Sequence, residues 1–168
     1  MSGFLHRFNP HRQAGFTLVE VMVVLLIIGL MAGAVTLSFP PQREPVLVQG
    51  EKLATRLQLA SQSSVVEHTP FGVKLEETGY VIVKFKDNAW SEIAQYTYDM
   101  DDTPAITLME NGAIIDLEAA NKANIPVIRY DTTGLATPFT LSMATSRARI
   151  RIVGAVDGRV ELIYGGGP

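Results

Sequence analysis

Residues 16–39 read FTLVEVMVVLLIIGLMAGAVTLSF, 24 residues carrying a single charge, Glu20. Wound as a helix at about 1.5 Å per residue, the run would be roughly 36 Å long, enough for a bilayer core of about 30 Å. The fifteen residues ahead of it, MSGFLHRFNPHRQAG, hold Arg7 and Arg12 and no acid. Basic residues before a first span keep that end in the cytoplasm, so the bulk of the chain is expected across the membrane.

Three fates fit this segment. It resembles a secretory signal peptide, with Ala32-Gly33-Ala34 as a small-x-small cleavage site before Val35. It also fits an uncleaved anchor, or a span that becomes the mature N-terminus once the short leader is removed. Glu20 bears on the choice. A carboxylate inside a span costs about 2.5–3.5 kcal/mol on insertion scales, so its presence asks for a partner charge. Neither of the first two fates needs it.

Gly15-Phe16-Thr17-Leu18-Val19-Glu20, followed directly by the apolar run, resembles the class III signal of type IV pilins and type II secretion pseudopilins. The resemblance implies that a prepilin peptidase cuts after Gly15 and that the new N-terminus, Phe16, is methylated. It makes Glu20 the fifth residue of the mature chain, where its carboxylate meets the cationic N-terminus of a neighbouring subunit. Pairing the two charges offsets part of the desolvation cost of each.

Beyond the run, Pro40, Pro41, Pro45 and Gly50 interrupt helix continuation. Residues 51–67 then read as an amphipathic helix with Leu53, Leu57, Ala60 and Ser64 on one face, closed by His68-Thr69-Pro70. A kink or unwound stretch is expected between the two helical halves. From there the hydrophobic period changes to two. Strands are expected at 72–76, 79–86, 105–109, 113–117, 126–130, 138–145, 148–154 and 159–164. Thr78-Gly79, Asn111-Gly112 and Asp157-Gly158 fall where hairpin turns belong, 87–104 reads as a polar loop, and Gly165 to Pro168 as a frayed tail. The expected fold class is α+β: a long N-terminal helix, its first half membrane-spanning, packed on an antiparallel β-sheet or β-sandwich domain, the pilin-like arrangement that the resemblance implies. Pro126-Val127-Ile128-Arg129-Tyr130, Gly134 and Pro138-Phe139-Thr140-Leu141 narrow the resemblance to minor pseudopilins of the H type, a group shared with T-type minor pilins.

Material for chemistry is thin. There is no cysteine, and two of the three histidines, His6 and His11, lie in the leader. His68 has no triad signature around it. Asp99, Asp101, Asp102 and Glu110 invite a calcium reading, but an EF-hand needs glycine at the sixth position, where Pro104 stands, so a solvated acidic loop without metal is expected, with a calcium loop of another kind as the alternative. Arg147, Arg149 and Arg151 alternate with Ala148, Ile150 and Ile152, placing a basic stripe on the outward face of one strand. The stripe fits a solvated or edge-protecting face, an acidic protein partner or a phosphate backbone. Removing Arg7 and Arg12 with the leader takes the 14 Lys+Arg to 12 against 17 Asp+Glu, a net −5, which argues against nucleic acid as a partner.

The expected organisation is therefore a cleaved leader (1–15), a transmembrane and assembly helix (16–39), a connector (40–50), an amphipathic helix (51–67) and a periplasmic β domain (68–168). By resemblance the chain is a non-enzymatic subunit without cofactor, anchored in the bacterial inner membrane by a single span and built into a periplasmic pseudopilus near its tip, where it helps to export folded proteins. Its implied partners are the prepilin peptidase, major and other minor pseudopilins, the inner-membrane secretion machinery and lipid. The alternatives are a minor type IV pilin in pilus assembly or DNA uptake, and an enzyme on an anchor. In cells that contain the peptidase, the mature chain should begin at N-methylated Phe16 by mass spectrometry. An N-terminus at Val35, or an intact Met1, would exclude this processing.

Overall fold

The computed structural model describes residues 17–37 and 43–166, the side chains of 33–37 and 166 excepted. The chain divides into two units, 1–42 and 43–168. In the first, helix α1 runs Leu18–Leu37. The second opens with helix α2, Pro45–Val66, and continues through strands β1 (Phe71–Glu76), β2 (Gly79–Lys86), β3 (Ala89–Thr97), β4 (Ala105–Glu110) and β5 (Ala113–Ile114). A short helix α3 (Leu117–Lys122) precedes β6 (Ile128–Tyr130), β7 (Phe139–Ala144), β8 (Ala148–Gly154) and β9 (Val160–Gly166). All pairing is antiparallel, in one sheet ordered β3-β2-β1-β6 and another ordered β5-β4-β7-β8-β9.

α2 joins the two sheets into one core. Its buried stripe, Val46, Leu53, Leu57 and Ala60, belongs to the same apolar cluster as Phe71, Val73 and Leu75 of β1 and Leu141, Met143, Ile150 and Ile152 of β7 and β8. Burying a Leu or Ile side chain contributes about 1.5–3 kcal/mol, so this cluster dominates the stability of the unit. The period-two reading of β7 and β8 holds: Phe139, Leu141, Met143, Ala148, Ile150 and Ile152 point inward.

α2 starts at Pro45, within the stretch expected to be a connector. Proline is tolerated there because the first-turn N–H has no intrahelical acceptor in any case. Gly50 then sits mid-helix for a packing reason. A Cβ at this position would lie 2.6 Å from Ile150 Cγ2, so only glycine lets α2 approach β8 so closely. The break expected within 40–50 is therefore absent from Pro45 onward; residues 43 and 44 are non-helical, and 38–42 lie outside those described. At its other end α2 closes with the Thr69 N–H on the Ser64 carbonyl (3.2 Å) and the His68 N–H on the Val65 carbonyl (3.4 Å), a Schellman arrangement with His68 in the left-handed region at φ 50°.

Several boundaries differ from expectation, each for a local reason. The segment 87–104 is not all loop. Asp87 and Asn88, both at positive φ (52° and 63°), make a two-residue turn into β3, a strand concealed by its polar composition because it is the sheet edge and exposed along most of its length. The hairpin turn between β1 and β2 is Glu77-Thr78, and Gly79 is already paired with Glu76. Asn111-Gly112 is a two-residue hairpin turn, with φ of 50° and 81°. The strand expected at 113–117 stops at Ile114, because the Asp116 carboxylate accepts the Ala119 N–H (3.0 Å) and caps α3. Gly165 and Gly166 are not frayed: they pair with Arg149 and Ala148, since ladder bonds need no side chain.

Gly50→Val should cost about 1–3 kcal/mol in urea unfolding, through overpacking against β8. Ile150→Ala should cost less in that background than alone, the coupling expected of residues in contact.

Candidate assembly site

The N-terminal end of α1 is set by Thr17. Its Oγ1 accepts the Glu20 N–H (3.2 Å) and its carbonyl accepts the Val21 N–H (3.3 Å). Thr17 and Glu20 stand three apart at the head of the helix, the spacing of a capping box, with the carboxylate in the first turn where the helix dipole favours negative charge. The helix therefore starts immediately after the expected cleavage point, and Glu20 holds a fixed place one turn into it. Gly15 and Phe16 themselves lie outside the described residues.

Every described side chain of α1 is exposed, and the apolar ones face all directions: Leu18 is 79% exposed, Met22 63%, Leu26 63% and Leu30 67%. A helix that is apolar all round is one that something else buries. Glu20 is the single charged group on it. Among the described residues no helix is long and apolar enough to cross a membrane; the side chains of 33–39, the far end of the 16–39 run, are not among them.

The other sequence-derived features are dispersed. Arg149 and Arg151 stand on the outward face of β8, with Arg147 just before the strand, all exposed and without an ion-pair partner among the described residues. The edge-protecting reading fails, because β8 is flanked by β7 and β9. Arg149 and Arg151 lie opposite Ala144 and Ser142 on one side, and Gly165 and Ile163 on the other. Asp99, Asp101 and Asp102 precede β4, whereas Glu110 ends it. Five strand steps of about 3.3 Å hold Glu110 roughly 17 Å from the start of that strand, so the four carboxylates do not share one loop. His68 serves as the left-handed residue closing α2.

Two features escaped the sequence reading. Arg56 of α2 lies 3.4 Å from the centre of the Tyr96 ring, inside a cluster where Tyr80 stacks near Tyr96 and Tyr98. Desolvation raises the pKa of Tyr98, with Tyr80 and Glu76 adding to the shift, so this hydroxyl stays protonated well above its ordinary range. Lys74, on the face of β1 turned away from the main core, is 6% exposed and reaches Asn124 and Glu92. Both are structural: alternation marks strand faces, but not which polar residues a later loop will cover.

Comparison with known proteins agrees with this geometry. The Prokaryotic N-terminal methylation motif matches residues 10–36, and the family Type II transport protein GspH matches residues 49–158. The chain is 36% identical over 173 residues to the Type II secretion system protein H of Aeromonas hydrophila, covering 91% of this chain and 94% of that one. The protein of the same name from Pseudomonas aeruginosa is 24% identical over 144 residues, covering 77% and 82%. Among solved structures, the minor pseudopilin EpsH from the Type 2 Secretion System of Vibrio cholerae shares the fold, with a TM-score of 0.58 at 16% identity over 74% of this chain and 99% of that one.

Proposed function

We propose that this chain, which belongs to the GspH family of type II transport proteins and is a minor pseudopilin, joins a periplasmic filament near its tip and helps it to export folded proteins across the outer membrane. Its N-terminal methylation motif implies processing by a prepilin peptidase, and its family implies partners within the pseudopilus. The family is structural rather than enzymatic.

One observation carries the assembly role: a lone carboxylate, Glu20, fixed by the Thr17 cap at the head of a helix whose remaining described surface is apolar. Before assembly the helix is held in the inner membrane by lipid, with the β domain in the periplasm. Cleavage after Gly15 frees the Phe16 amine. Glu20 of an incoming subunit pairs with the cationic N-terminus of its neighbour, in register, while Val21 to Val35 exchange lipid for the helices of neighbouring major and minor pseudopilins. A carboxylate that costs about 2.5–3.5 kcal/mol unpaired in a membrane thus becomes a driving force for leaving it. The inner-membrane secretion machinery supplies the work of extrusion.

Glu20→Ala should leave leader cleavage intact but reduce incorporation into the filament at least tenfold, read by cross-linking to neighbouring subunits. Normal incorporation of that variant would remove Glu20 from the assembly step.

A further inference from the structure

β4 has an uncovered edge. Its hairpin partner β5 pairs only with Met109 and Glu110, and the Ile115 N–H then reaches the Leu108 carbonyl (2.9 Å). Backbone groups of residues two apart in a strand point the same way, so the N–H and carbonyl of Ile106 face that same side, away from β7. They have no hydrogen-bond partner among the described residues. Across from them the end of β1 presents a second edge beyond its pairing with β6, and there the Leu75 carbonyl is capped by Asn121 Nδ2 of α3 (2.7 Å). One edge is closed by a side chain while the other stays open.

Between the two lies a groove of about 830 Å³. Ile106 and Leu117 supply its apolar lining, with the fully buried Leu75 behind them, and Glu76, Glu77, Glu118 and Lys122 its charge, three acids to one base. Glu118 is engaged by Lys122 (2.6 Å), whereas Glu76 and Glu77 form no ion pair among the described residues. Asn121 Oδ1 is a further acceptor, buried without a hydrogen-bond partner. Soluble proteins usually cover, shorten or charge their strand edges, and an open one in an acidic groove is a template for another strand.

We propose that the β4 edge at Ile106 receives, by strand addition, an extended segment of a partner protein in which Lys or Arg alternates with apolar residues. Main-chain bonds to Ile106 would supply affinity. Alternate apolar side chains would meet the half-buried Ile106 and Leu117, and the intervening cations would meet Glu76 and Glu77. This contact lies wholly within the β-bearing unit and does not depend on helix assembly through Glu20.

The test uses the full chain in detergent micelles with a labelled acetyl-(Lys-Val)3-amide peptide, read by fluorescence anisotropy and by exchange of the Ile106 amide. Saturable binding should slow exchange at Ile106 and weaken about tenfold in the Glu76→Gln, Glu77→Gln double variant. It should be lost when alternate peptide nitrogens are methylated, and an acetyl-(Glu-Val)3-amide peptide should not bind. Absent binding, equal binding of the methylated peptide, or an unprotected Ile106 amide would overturn the proposal. So would self-association of the chain that the peptide displaces, since a second copy would then be the occupant.

Discussion

An apolar helix whose described side chains all stand exposed imposes the first condition on everything else about this chain. From Leu18 to Met31, twelve large apolar side chains are exposed. Covering them is worth on the order of 20 kcal/mol at about 1.5–3 kcal/mol each, several times the cost of placing one carboxylate in a membrane. That imbalance dictates that α1 is covered by lipid or by other helices. Under the proposed assembly, Glu20 would favour the second cover, because a helical neighbour with a free N-terminal amine offers it an opposite charge.

The second unit solves the opposite problem and buries its apolar surface internally. One stripe of α2 meets both sheets, which is why a helix interrupted in sequence by Pro45 and Gly50 is continuous from Pro45 onward. Gly50 exchanges helix propensity for close approach to Ile150. The edges of the sheets are treated unevenly: β3 carries polar residues and a register shift after Ile82, β1 is capped by Asn121, and β4 is left open beside carboxylates.

The N-terminal methylation motif was legible in the sequence because it is a linear feature: a glycine, an aromatic residue, an acid and a long apolar run, within residues 10–36. Strands with one buried face were legible too, as with Leu141 and Met143 or Ile150 and Ile152. What escaped notice lacked that contrast. β3 is wet along most of its length, so its alternation is faint, and its turn is made by Asp87-Asn88 without glycine. α3 spans six residues, too short for a helical period, and only its Asp116 cap signalled it. The groove beside β4 joins residues some thirty positions apart, Leu75 to Ile106, and no local pattern records that.

The most direct measurement deletes the gene cleanly and follows, in parallel, secreted enzyme in the medium and uptake of DNA. The account predicts lost secretion with normal uptake, restored by the wild-type gene. Normal secretion with failed uptake would contradict it, and would turn attention to Arg149 and Arg151, exposed on β8 and without an ion pair among the described residues, and to Arg147 beside them.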